Sequence, residues 1–322
     1  MIQYELNNMG GNLYMKRQEI NSVLLMLLTA AIWGFAFVAQ RVGMQHVGAF
    51  TYNGVRFALG SISLLPVICF FGNSSKEKNN GKIEKGEESR EADIKTTIIS
   101  GIIAGSVLFI AASLQQVGLK YTTAGKAGFI TSLYIVLVPI LGIFIKQKTH
   151  ITTWIGAITA VAGLYFLSIN ESFNIEFGDL LEIIGSFFWA AHILLIDKFV
   201  KNVNAVKLSS IQFAACSFLS FIIAIIYENI IFSEILNAAI PILYGGLMSV
   251  GVAYTLQAIA QKHANPAHAA IALSMEAVFA AIGGILILKE TMSSRGYLGC
   301  ALMFAGMMIA QSENLKTEKA SD

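Results

Sequence analysis

Charge is scarce in this chain of 322 residues: Asp, Glu, Lys and Arg make up 13% of it, where a soluble domain carries about 25%. With 55% of the residues hydrophobic, too little polar surface remains to wrap a globule around one core. That excludes an ordinary soluble enzyme and leaves the bilayer as the solvent. Cysteine is scarce as well. Cys69, Cys216 and Cys300 lie in apolar runs without metal-like spacing, which excludes a disulfide framework and a zinc site. The five histidines, at 46, 150, 192, 263 and 268, form no ligand pattern, and no metal or cofactor is expected. A formal net charge of +2 argues for neither a nucleic-acid nor an acidic partner. Enzyme motifs are missing too. Thr123-Ala124-Gly125-Lys126 imitates the end of a P-loop, but Lys120 occupies the place of its first glycine and Ala127 that of its Ser/Thr. There is no GxSxG and no HExxH. The chain reads as a non-enzyme, and without a nucleotide fold of its own any driving force must come from ion or solute gradients.

What the chain does have is apolar runs of the length that crosses a hydrocarbon core of about 30 Å as a helix. Ten are expected, at 21–44, 50–72, 97–118, 122–145, 151–169, 178–198, 206–227, 237–260, 265–288 and 295–311. The runs are continuous rather than alternating, which points to helices and not barrel strands. Residues 1–20 form a polar tail in which Met15-Lys16-Arg17 reads as an alternative start or a cytoplasmic anchor. The run from Val23 to Ala39 shows no small-residue cleavage site and reads as the first span rather than a signal peptide. Residues 72–95 are a polar insert with six basic and six acidic side chains, read as a disordered linker, and 312–322 form a second tail.

The sequence repeats itself. At an offset of 156, Trp33 falls on Trp189, Phe57 on Phe213 and Ser61 on Ser217. At 142, Gln115 falls on Gln257, Ser132 on Ser274 and Thr149 on Thr291, and at 143 Gly156 and Gly163 fall on Gly299 and Gly306. The drop between the first two offsets matches an insert at 72–95 that the second half lacks. The expected units are therefore 21–169 and 170–311, each with five spans. An odd number of spans inverts the second copy in the membrane. The positive-inside rule agrees: with the N-terminus inside, 16 of the 22 Lys and Arg residues fall on inner segments. Inverted repeats packed around a midplane site are the architecture of secondary transporters.

Ala31-Ile32-Trp33-Gly34, Arg56-Phe57, the run Ser274-Met275-Glu276-Ala277-Val278-Phe279-Ala280 followed by Lys289-Glu290, and the spaced glycines of the fifth and tenth spans resemble the EamA family of the drug/metabolite transporter superfamily. The resemblance covers residues 22–311 and both repeats. It implies an all-α integral membrane fold of ten transmembrane helices in two inverted five-helix repeats, in a bacterial inner membrane with both termini cytoplasmic. It also implies a carrier, usually an exporter of amino acids or other small metabolites, with a cavity built from spans 1–4 and 6–9. Two departures stand out: Tyr134 occupies the position equivalent to Glu276, and Lys146-Gln147-Lys148 lacks the glutamate expected after the fourth span.

The expected partners are a small-molecule substrate, the lipid bilayer and, in a proton-coupled version, protons. Glu276 is the first candidate, because an ionised side chain mid-span costs about 2.5–3.5 kcal/mol and needs a partner, a proton or a wet cavity. It could load a proton, contact a cationic amine, or simply hold the ninth span to a neighbour. Arg56 lies one or two turns from the outer end of its span, where snorkelling to the interface is favoured over a gate or substrate-anion contact. Trp33 and Trp189 lie too deep for an interfacial belt and suit stacking on a ligand or helix packing. His192 follows Trp189 by three positions and shares its helix face. Gln115, Gln116, Thr131, Ser132, Tyr134, Tyr254, Gln257 and Ser274 supply neutral hydrogen-bonding groups, with Tyr134 and Tyr254 favoured as cavity liners. Asp197 and Lys198 read as a solvated rim. The rival functions are a passive facilitator, a solute exchanger, and a membrane scaffold that transports nothing.

Overall fold

The computed structural model describes residues 2–71, 87–122, 124–147, 149–168, 176–288 and 293–316; of the linker expected to be disordered at 72–95, residues 72–86 lie outside them, as do Lys289-Glu290, whereas 87–95 are helical, the first turns of a helix that runs on into the third span. Among the described residues every regular element is a helix. Eight helices are long and apolar enough to cross a bilayer, and two shorter apolar ones, Ile151–Phe166 and Ser294–Ala310, take the places of the fifth and tenth expected spans. The solvent logic of a globule is reversed. Phe144, Ile158, Phe218, Ile225 and Leu286 are exposed, whereas Asn53, Arg56, Glu182, His192 and Glu276 are buried.

In chain order the first repeat holds α1 (Ile2–Gly43), α2 (Ala49–Phe71), α3 (Glu87–Gly118), α4 (Ala124–Thr131), α5 (Tyr134–Phe144) and α6 (Ile151–Ser168). The second holds α7 (Phe177–Phe199), α8 (Ala205–Tyr227), α9 (Phe232–Asn237), α10 (Ala239–Leu243), a π-helix (Tyr244–Tyr254), α11 (Thr255–Gln261), α12 (Pro266–Leu273), α13 (Glu276–Leu288) and α14 (Ser294–Lys316). The repeats meet with reciprocal contacts. Between α2 and α8, Ser61 Oγ donates to the Ser210 carbonyl at 2.8 Å and its equivalent Ser217 Oγ donates to the Gly54 carbonyl at 2.8 Å. Phe57 and Phe213, also equivalent, pack ring to ring at 6.2 Å. Between α6 and α14, Gly156 abuts the carbonyl of Gly306, and Gly163 that of Gly299. Swapping the repeats maps each contact onto its mate, as a two-fold axis requires.

At α6 and α14 the backbones are so close that a Cβ on Gly306 would lie 2.6 Å from the Gly156 oxygen and 2.7 Å from the Ala160 nitrogen. Gly306→Ala is therefore expected to cost about 1–3 kcal/mol, the usual penalty of overpacking, and to lower the melting temperature of the detergent-solubilised protein. An unchanged melting temperature would mean that the two helices can separate freely.

Two departures from the sequence expectation shape the interior. The fourth and ninth spans, expected as continuous helices, are each broken at equivalent places, Ser132-Leu133 and Ser274-Met275. Neither break contains proline or glycine. Each is a tightened turn with i to i−3 bonds: Ile135 N–H to Ser132 O at 3.0 Å in one, Ala277 N–H to Ser274 O at 3.1 Å in the other. The eighth span is π-helical over Tyr244–Tyr254, whereas its counterpart in the first repeat is part of the regular helix α3. Asp197, expected at a solvated rim, is buried instead and accepts from Lys201 Nζ at 2.9 Å.

Candidate functional site

A cavity lies between the repeats. Helix α1 contributes Trp33, Ala36, Phe37 and Gln40; α2 contributes Arg56; α3 and α4 contribute Gln115 and Thr131; Tyr134 opens α5. From the second repeat come Trp189 and Ile193 of α7, Ser249 and Tyr254 of the π-helix, Gln257 of α11, and Glu276 at the start of α13.

One pole of the cavity is cationic. Arg56 is 2% exposed, so it does not snorkel to an interface. Its Nε donates to Asn53 Oδ1 at 3.0 Å, and Asn53 Nδ2 donates to the Ala112 carbonyl at 3.1 Å, which fixes the guanidinium from α3. The guanidinium carbon sits 4.9 Å from the Phe57 ring centroid and 5.5 Å from that of Tyr52, within cation–π range. Among the described residues no carboxylate pairs with it.

The other pole is acidic. Tyr134 Oη donates to Glu276 Oε1 at 2.9 Å. These two residues are repeat equivalents, so their contact lies at the pseudo-axis, and the tightened turns before each one deliver them to the same point. Among the described residues no side chain hydrogen-bonds Oε2.

An aromatic wall runs between the poles. Tyr254 packs on Trp33 with ring centroids 4.5 Å apart and stacks on Trp189 at 6.1 Å with a 21° interplanar angle. Phe57 and Phe213 lie behind Tyr254 at 6.2 and 5.8 Å. Trp33 Nε1 donates to the Ser249 carbonyl at 3.2 Å, whereas Trp189 Nε1 is buried without a partner. The π-helix explains the difference, because its wider i to i−5 ladder re-aims carbonyls that an α-helix keeps along its axis.

Six of the seven sequence candidates thus line one cavity: Trp33, Arg56, Tyr134, Trp189, Tyr254 and Glu276. His192 does not. Its Nε2 lies 2.9 Å from Gln212 Oε1, and its ring meets Trp189 and Tyr254 edge-on from behind. Three residues turn an α-helix by about 300° and four by about 400°, so the positions flanking Trp189 diverge; here Ile193, four residues on, takes the cavity side. Sequence reasoning misses Glu182. It is fully buried on α7 and accepts from Thr131 Oγ1 at 3.0 Å.

The signature of the EamA-like transporter family matches residues 20–169 and again residues 176–311, one copy for each half. The chain belongs to the EamA-like transporter family. This EamA-like protein is 29% identical over 288 residues to an uncharacterized transporter of Archaeoglobus fulgidus, covering 88% of this chain and 83% of the relative. It is 20% identical to the uncharacterized transporter YoaV of Bacillus subtilis, over 90% of this chain and 96% of the relative. A solved crystal structure at 16% identity superposes with a TM-score of 0.71 over 92% of this chain and 98% of that chain, a likeness of fold. The EamA-like protein is thus a multi-pass membrane transporter built to handle a small solute.

Proposed function

We propose that this transporter is a secondary carrier that exports amino acids or closely related zwitterions by alternating access, from a bacterial plasma membrane with both termini in the cytoplasm. The observation that carries the reading is the pairing of poles: among the described residues, a buried guanidinium without a carboxylate partner and a buried carboxyl with one oxygen that no side chain hydrogen-bonds, facing the same cavity. A substrate carboxylate completes Arg56 with charge-assisted bonds, and a substrate ammonium sits between Glu276 and the aromatic faces. A phosphorylated substrate calls for a denser basic site. When the ammonium leaves, a proton replaces it on Glu276, which makes the carrier an antiporter. The broken fourth and ninth spans support rocking, since tightened turns in a long helix are natural hinge points.

The test is counterflow of radiolabelled amino acids into proteoliposomes of the purified protein, with and without an imposed pH gradient. Saturable counterflow that the gradient accelerates is the expected result. Absence of flux for every amino acid would remove this substrate class, and flux indifferent to the gradient would favour a facilitator.

A further inference from the structure

We propose that Glu182 is a second proton-binding site of the carrier, through which the coupling proton passes between the cavity and the end of the bundle that holds residues 119–122. The inference rests on the proton-coupled reading of the cavity, but it concerns a residue outside the lining.

Glu182 is 0% exposed, on a helix of membrane-spanning length. Its Oε2 accepts one hydrogen bond, from Thr131, and its Oε1 has no partner. Oε1 is aimed at Gly118, where an added Cβ would stand 2.8 Å away, so only glycine leaves room for the carboxyl. Asp179, three residues earlier on its own helix, is buried, and so is Glu276 in the cavity lining. Both are acids. The nearest parts of α3 and α4 present Gly118, Gln115 and Thr131, none of them charged. A carboxylate in this position, with one hydrogen bond and no cation beside it among the described residues, is costly, and a proton relieves that cost.

The chain of groups continues in both directions. Inward, Thr131 and Gln115 line the cavity, and Gln115 Nε2 lies 3.5 Å from Thr131 Oγ1. While Glu182 is ionised, the Thr131 hydroxyl spends its hydrogen on Oε2 and presents only lone pairs to the cavity. Once Glu182 holds a proton, that proton can donate to Thr131 and the hydroxyl hydrogen turns to the cavity. One proton thereby converts Thr131 from an acceptor to a donor. Outward, Asp179 lies one turn nearer the helix start, accepts from Thr122 Oγ1 at 2.8 Å, and caps the helix by accepting from Glu176 N–H at 2.8 Å. Glu176, the N-cap, is exposed, so the acids at 176, 179 and 182 step from surface to interior along the first turns of α7.

The experiment has two readouts on wild type, Glu182→Gln and Glu276→Gln in lipid. The first is the infrared difference spectrum on a pH jump, which reports the carbonyl stretch of a protonated carboxyl and needs no substrate. A component present in wild type and in Glu276→Gln but missing in Glu182→Gln is expected. The second uses a radiolabelled amino-acid mixture. Glu182→Gln is expected to retain counterflow while pH-gradient-driven uptake falls by about tenfold or more. If the component survives in Glu182→Gln, or gradient-driven uptake is intact there, the inference is overturned. A wild type that moves no amino acid would sink the substrate reading, while the infrared band would still decide Glu182. Where the glutamine variant does not purify as a monodisperse protein, Glu182→Asp must shift the band, and an unshifted band overturns the proposal.

Discussion

Glu276→Gln is expected to raise the half-saturation concentration for amino-acid counterflow by about 30-fold or more, since removing one member of a buried charge pair costs about 2–5 kcal/mol. Glutamine keeps the size of the side chain and can still accept from Tyr134 Oη, so the tightened turn ahead of α13 persists and the loss reports charge. Two comparisons sharpen the result. Tyr134→Phe removes one hydrogen bond to the carboxyl and leaves its charge, so its effect is smaller, about 1.5–3 kcal/mol at most. A deaminated analogue, carrying the carboxylate without the ammonium, gains nothing from Glu276, and its flux is unaffected by the glutamine. Equal affinity of wild type and Glu276→Gln for every amino acid would contradict the ammonium contact and leave the carboxyl a role in holding α13 to α5.

Arg56→Ala is the second large effect. Among the described residues the guanidinium has Asn53 and two aromatic faces for company but no anion, so in the proposed amino-acid carrier a substrate carboxylate would be its counter-charge. Without it, amino-acid counterflow is expected to lose about 30-fold or more in affinity, while the matching decarboxylated amine loses little. Arg56→Lys keeps the charge but not the planar fork, nor the Nε bond to Asn53, and falls between the two. Melting temperatures of the empty proteins separate lost packing on Phe57 from lost binding. If Arg56→Ala weakens the amine as much as the amino acid, the arginine is a scaffold for α2 and not a substrate contact.

Much of this cavity can be read from the letters, for a definite reason. The duplication marks Trp33 and Trp189 as a pair, and Glu276 announces itself as an acid amid an apolar run. Arg56 is legible as a residue but not in its depth: distance from a span end says how far a side chain could reach, and not that Asn53 and the rings of Tyr52 and Phe57 hold it inward. Glu182 escapes because the acids at 176, 179 and 182, near a helix start, look like solvated capping groups until α3 and α4 are seen to cover Glu182. His192 shows the limit of helical periodicity, which assigns a face only to within the width of a side chain. The breaks at Ser132 and Ser274 are invisible for a different reason. Apolar composition is what tells a span from a loop, and these turns keep it, with no proline or glycine to mark them.

The π-helix of the eighth span gives the two halves unequal weight. Were the repeats identical, exchanging their shapes would produce two states of the same energy, and an empty carrier would face each side half of the time. The bond from Trp33 to the Ser249 carbonyl has no twin at Trp189. A single hydrogen bond of about 0.5–1.5 kcal/mol, made in one state and broken in the other, skews the populations roughly two- to tenfold. In the proposed alternating-access carrier, this one stretch of backbone would then set the side on which the empty molecule waits before any gradient is applied.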